Sequence, residues 1–189
     1  MQLRVTLQGQ TAGAPKLEAA LAAAVAEQRF QDAAALRDKL RQLRPSKIPT
    51  TSNAWTQGVC VQVSSYFLPQ QSSPRTGSYI FAYRITITNE GQVPVKLLSR
   101  HWMIADGNGH MEEVKGPGVV GQFPLLRPGE SFQYTSAAPL KTPQGYMEGT
   151  FEMVTFTASG ARGEHFQAQV ARFGLDTDAG CMPAKQHGR

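Results

Sequence analysis

The fold is decided by residues 79–109, "YIFAYRITITNEGQVPVKLLSRHWMIADGNG". Two long runs rich in aromatic and β-branched residues, 79–89 and 95–106, are each closed by a turn signal: Asn89-Glu90-Gly91 and Asp106-Gly107-Asn108-Gly109. Side chains of that kind suit a pleated, half-buried surface, and Asn-Gly or Asp-Gly steps mark hairpins. The same texture extends outward in both directions. Upstream, "GVCVQVSSYF" alternates Val59, Val61 and Val63 with Cys60, Gln62 and Ser64. Downstream, "HMEEV" reads as the returning strand. "SFQYTSA" follows the Pro128-Gly129 turn, and "YMEGTFEMVTFT" and "EHFQAQVARFGL" flank the loop "ASGARG". Seven short strands with no helical pattern between them predict an antiparallel β-sandwich over residues 55–175.

Before residue 45 the composition changes. No Gly or Pro occurs from Lys16 to Arg44, and Ala, Leu, Arg and Glu dominate. Leu17, Ala20, Leu21, Ala24 and Val25 repeat at helical spacing, as do Ala33, Leu36, Leu40 and Leu43. The phase breaks at Gln28-Arg29-Phe30. Two short antiparallel helices joined near Arg29 would bring the stripes together, with Phe30 plugging the closed end and Pro45 stopping the second helix. The predicted plan is an extension over 1–15, a helical hairpin over 16–44, a proline-containing linker over 45–54, the sandwich, and a mobile tail over 176–189.

Bulk properties exclude several classes. Hydrophobic residues make up 41% and charged residues 17%, enough apolar content for a core. No apolar run approaches the ~18 residues of a membrane-spanning helix, and the N-terminus lacks the pattern of a secretory signal. Cys60 and Cys181, two distant cysteines, argue against a disulfide framework and for a reducing compartment, cytosol or plastid stroma. The net charge of +5 sits mostly in residues 1–50, with eight Lys/Arg against four acids. No aromatic residues alternate with the basic ones as a base-stacking platform requires, so the expected partners are proteins rather than nucleic acid or membrane.

Two segments invite chemistry. Gly116-Pro117-Gly118-Val119-Val120-Gly121 spells G-x-G-x-x-G. A dinucleotide site needs that loop to open a helix, and "QFPLLRPGE" follows instead, which excludes the Rossmann reading. Glycine N–H groups can still form an anion nest, so Gly116, Gly118, Gly121, Lys115 and Arg100 are a candidate site for pyrophosphate or a dinucleoside polyphosphate. Arg100-His101-Trp102 alternates, placing Trp102 in the core and Arg100 at an edge, paired with Glu112 or Glu113. No local catalytic motif surrounds His101, His110, His165 or His187, so no enzyme activity and no cofactor are expected. His101, Asp106, His110, Glu112 and Glu113 could hold a divalent ion only loosely.

The motifs "FAYRITITN", "LLSRHWMIAD", "GPGVVG", "RPGESFQYTS" and "TPQGYMEGTFEM", in that order, resemble the ApaG domain over about residues 55–175. Gln122-Phe123-Pro124 and Ala137 depart from the usual pattern, where Glu/Gln-Gln-Pro and Gly are found. The resemblance implies a fibronectin type III-like sandwich and a protein-binding module without established enzymatic activity. Leu17, Ala24-Val25, Glu27, Phe30, Ala33-Ala34, Leu36-Arg37-Asp38 and Leu40 resemble the UVR motif of the excision-repair proteins UvrB and UvrC and of Clp chaperones and their regulators. That resemblance implies a hairpin that meets other proteins, such as another UVR protein or a Clp-type chaperone. Phe30 and Leu36 would be packing anchors, with Arg37 and Asp38 setting register. Together the two imply an adaptor.

Overall fold

In the computed structural model the described residues are 14–32, 35–36, 48–157 and 159–178. The chain divides into two compact units, Met1–Lys47 and Ile48–Arg189.

In the first unit, helix α1 spans Ala14–Ala26, two residues earlier than expected. Its end is built from backbone bonds. Arg29 N donates to Ala24 O and Gln28 N to Val25 O, with Gln28 at φ 57°. This 6→1 and 5→2 pair around a left-handed residue is a Schellman stop, made here without glycine. Arg29 then bridges Glu27 and Asp32, at 2.8 and 2.9 Å. Phe30–Asp32 and Ala35–Leu36 are helical again. The break at Gln28-Arg29 is where the phase change put it. Phe30 does not plug the turn, however: it is 72% exposed. A left-handed residue at Gln28 redirects the chain so that the next side chains leave the helix axis. Ala33, Ala34, Arg37, Asp38, Leu40 and Leu43 lie outside the described residues.

Among the described residues of the second unit nine strands form two antiparallel sheets. Strands β1 (Thr51–Thr56), β2 (Val59–Phe67), β3 (Tyr79–Asn89) and β7 (Ser131–Leu140) make one sheet, in the order β1-β2-β3-β7. The other has the order β5-β4-β8-β9: β4 (Val95–Asp106), β5 (Met111–Pro117), β8 (Gln144–Phe156) and β9 (Arg162–Asp176). The two-residue β6 (Leu125–Leu126) pairs with the start of β4. All seven expected strands are present. β1 and β6 are additions.

The first four residues of β1, 51–54, lie in the stretch expected as linker. Its sequence, TSNAWT, is polar because its partners are polar. Ser52 Oγ donates to Ala171 O at 2.8 Å, and Thr56 Oγ1 accepts Gln169 N at 3.0 Å. Pro49 O accepts Gly174 N just before it. These side-chain and backbone bonds close one flank of the sandwich onto β9. The expected tail also starts too early. Asp176 ends β9, is 4% exposed and accepts the Asp178 N–H at 2.9 Å. Thr177 N reaches Pro143 O.

The core lies between the sheets. Trp102 is 2% exposed and meets Phe151 and Tyr83 edge-on, with ring centroids 5.5 and 5.9 Å apart. Ile85, Ile87, Leu97, Met147, Met153, Phe173 and Leu175 complete it. One irregularity positions everything that follows. The pairing of β4 with β8 shifts between Leu97 and Ser99. Val95 and Leu97 face inward before the bulge, and Trp102 and Ile104 after it. The extra residue changes the inward-facing parity, as a bulge must. Arg100 thereby joins the Trp102 side of the strand and His101 the solvent side.

Candidate functional site

Arg100 and Gly116 are cross-strand partners on β4 and β5. A side chain at 116 would place its Cβ 3.1–3.2 Å from the Arg100 guanidinium, so glycine is what lets the cation lie flat across that strand. From there Nη1 donates to the carbonyls of Pro117 and Gly118, at 3.1 and 2.9 Å. The loop is itself a tight hairpin. Val119 and Gln122 exchange both backbone bonds, at 2.9 and 2.8 Å. Val120 and Gly121 both have positive φ, 44° and 77°, the sign pattern of a I′ turn. Gly118 has φ 55°, donates its N–H to Leu98 O, and could not carry a Cβ without overlapping the Gln122 carbonyl. Val119 is driven into the core.

The polarity of this arrangement matters. Carbonyl oxygens converge on a built-in cation; the N–H groups of Gly118 and Val119 are spent on Leu98 and Gln122. Of the five residues of the candidate anion site, Arg100 lies against Gly116 and is engaged with the loop's own carbonyls at Pro117 and Gly118. Lys115 Nζ is 2.7 Å from Glu113 Oε1. Glu113 also lies 2.7 Å from His101 Nε2, so its acid–base partners are Lys115 and His101, not Arg100. The β4–β5 register explains the correction: Glu113 pairs with Met103 and projects with His101 and Lys115 on the solvent face, while Arg100 is on the other. Lys115 first, and then His101, hold the Glu113 carboxyl below its ordinary value.

The same solvent face of the β5-β4-β8-β9 sheet carries a second histidine–glutamate pair. His165 Nδ1 is 3.3 Å from Glu152 Oε1, and Ser99 Oγ donates to Glu152 Oε2 at 2.9 Å. Beside them is an open pocket of about 380 Å³, lined by Arg100, Lys115 and Gly116 of the candidate anion site together with Ser99, His101, Thr150 and Gln167. On the same sheet Arg172 grips Glu148 with two bonds, 2.8 and 3.0 Å, and stacks over Tyr146.

The loose metal reading finds no cage. Asp106 Oδ1 accepts the N–H groups of Asn108 and His110, which caps the turn. Among the described residues no three His, Cys, Asp or Glu are placed to share an ion. Sequence reasoning missed the core-side tyrosines. Burial pushes the Tyr134 phenol far above its ordinary range and raises Tyr83 as well. Among the described residues Tyr134 Oη and Trp102 Nε1 have no hydrogen-bond partner. "SFQYTSA" was legible as a strand, but nothing in sequence marks the Tyr134 hydroxyl as unpaired.

The family model of the ApaG domain matches residues 69–155, and that of the UvrB/uvrC motif matches residues 14–44. Protein ApaG of Methylobacterium sp. (strain 4-46) is 51% identical over 123 residues, 65% of this chain and 91% of that protein. The chain belongs to the ApaG family. Protein ApaG of Dechloromonas aromatica is 53% identical over 115 residues, 61% of this chain and 87% of its own. A crystal structure of an ApaA protein from Bordetella pertussis has a TM-score of 0.59 at 41% identity, over 69% of this chain and 98% of that one. The ApaG match takes in the bulge at Leu98, Arg100 and the whole glycine hairpin. The UvrB/uvrC match takes in α1, the Schellman stop and Phe30.

Proposed function

We propose that this ApaG-family protein is a non-enzymatic adaptor with two protein-binding ends. The UVR segment docks a partner's apolar helical surface, and the sandwich presents a second surface. The observation that carries this reading is the exposure of Phe30, 72%, directly after the helix stop, with Val25 at 52% on the helix before it. Large apolar side chains held out in water by a fixed turn are what an interface covers, and aromatic anchors dominate interface energies. Leu36 follows in the next helical turn and joins the docking face. Arg37 and Asp38 set its register.

The sandwich supports a binding role rather than a catalytic one. His101 and His165 are each tied to a glutamate on an open sheet face. Catalysis of acyl or phosphoryl transfer needs a nucleophile, a base and donors aimed at a common point. At the glycine hairpin Arg100 and the N–H groups of Gly118, Val119 and Gln122 point at the protein's own carbonyls instead. The test compares the partners captured by the full chain and by a chain lacking residues 1–47. Loss of the main partner on deletion is the expected result. The same partners in both would overturn the docking role of the UVR segment.

A further inference from the structure

Two open sheets have four edge strands, and each edge offers unpaired N–H and C=O groups to another chain. Three of the four are guarded here. β1 is tied to β9 through Ser52 and Thr56, which protects the second half of β9 as well. The first half of β9 carries Arg162, Glu164 and His165. β5 carries Glu112, Glu113 and Lys115 and ends at Pro117. Charges and prolines of this kind discourage strand pairing.

β7 has none of these guards along most of its length. Among the described residues it pairs with β3 alone. Its sequence, SFQYTSAAPL, holds no charge, and its single proline, Pro139, is next to last. The ladder alternates from the pair at its mouth, where Asn89 N donates to Glu130 O. Ser131, one residue on, is therefore in a close pair that exchanges no backbone bonds with Thr88. Their hydroxyls meet at 2.9 Å. The same alternation turns the N–H and C=O groups of Ser131, Gln133, Thr135 and Ala137 away from β3. No other described residue makes a backbone bond to them.

We propose that the free edge of β7 docks an extended, uncharged polypeptide segment, which adds to the β1-β2-β3-β7 sheet as a fifth strand. Donors and acceptors that recur every second residue along a line match extended backbone and no compact ligand. The segment's neutrality follows from the absence of charge in β7: a Lys or Glu brought opposite Gln133 or Thr135 would find no ion-pair partner on the strand. Its inward side chains are apolar where they meet Phe132, which packs half-buried against the core. This inference supplies the second surface of the adaptor reading and rests on that reading only for its use in the cell, because the edge is complete without the UVR segment.

The probe is a phage-displayed random dodecapeptide library panned on the full chain. Enriched sequences should be uncharged and rich in β-branched residues. Their synthetic copies should slow amide exchange at Gln133, Thr135 and Ala137. Thr135→Pro removes one outward N–H, a change that edge strands tolerate. Thr135→Lys keeps the backbone and adds a guard, so it carries the test if the proline variant melts early. Each should weaken peptide binding at least tenfold at an unchanged protein mass. Four results would overturn the proposal: no enrichment, equal binding by Thr135→Lys, protection confined to other strands, or a doubling of mass with β7 protected in the absence of peptide. The last would make a second copy of the chain the occupant. Peptide binding by the full chain, together with the same partners captured by the chain lacking residues 1–47, would sink the UVR docking role alone.

Discussion

Trp102 and Phe30 are both large aromatics in segments rich in apolar residues, and the structure treats them oppositely. Trp102 is 2% exposed and Phe30 is 72% exposed. Trp102 sits on a twelve-residue strand whose bulge turns it toward two aromatic neighbours. Phe30 follows a backbone-built helix stop that leaves it nothing to pack on among the described residues. A helix of thirteen residues is marginal in water by itself. The difference assigns labour: the sandwich buries Trp102 to hold itself together, and the helical unit holds Phe30 out. The comparison breaks if either residue behaves like the other.

Trp102→Ala carries the largest expected effect. It should cost about 3–5 kcal/mol, the range for truncating a buried aromatic, read from the urea midpoint of the chain. A cost near zero would place Trp102 with Phe30. Gly118→Ala comes next. It forces an alanine to positive φ and its Cβ against the Gln122 carbonyl. The expected cost is roughly 1–3 kcal/mol, and the loss of melting temperature should be the same with and without pyrophosphate. A normally folded variant that had lost a measurable pyrophosphate affinity would favour an anion sensor over the adaptor.

Glu113→Gln should act weakly and through pH. The folded carboxyl is held below its ordinary value by Lys115 and then His101. A depressed acid stabilises the fold above its unfolded value, near 4.5, and that contribution disappears as pH falls past it toward the depressed value. The wild type should therefore lose slightly more stability than the variant across that window. Because Glu113 is exposed, added salt should shrink the difference. Identical acid melting curves would show that the His101–Glu113–Lys115 cluster contributes nothing.

Most of the seven strands were legible because a buried face repeats every two residues whatever lies on the other side; β5, which buries no residue, was legible only as the return from the turn at 106–109. β1 was not, because its inward residues are Ser52, Ala54 and Thr56. Two of these bond to β9 backbone, so they lack the apolar signal by design. β6 has two residues and no period to read. Trp102 was legible as core from its place in a long aromatic strand. The partner of Arg100 was not. Its carbonyl ligands depend on how the 116–121 hairpin closes, and Glu113 faces the other way with His101 and Lys115. In the helical unit the break at Gln28-Arg29 was visible as a change of phase. The outward course of Phe30 was not, because the left-handed turn at Gln28 is made without the glycine that usually announces it.

Phe30 has the smallest expected effect on stability and the largest on function. Phe30→Ala should leave the melting curve within about 0.5 kcal/mol of wild type, as for other surface changes. The most direct test measures affinity of the principal captured partner for wild type and Phe30→Ala at two salt concentrations, with Arg41→Ala/Arg44→Ala as the charge control. The account predicts a loss of about tenfold or more for Phe30→Ala, the size of an interface hot spot, with little change on adding salt. Full affinity in Phe30→Ala, with steep salt dependence and loss in the arginine variant, would contradict hydrophobic docking and make the contact one of charge.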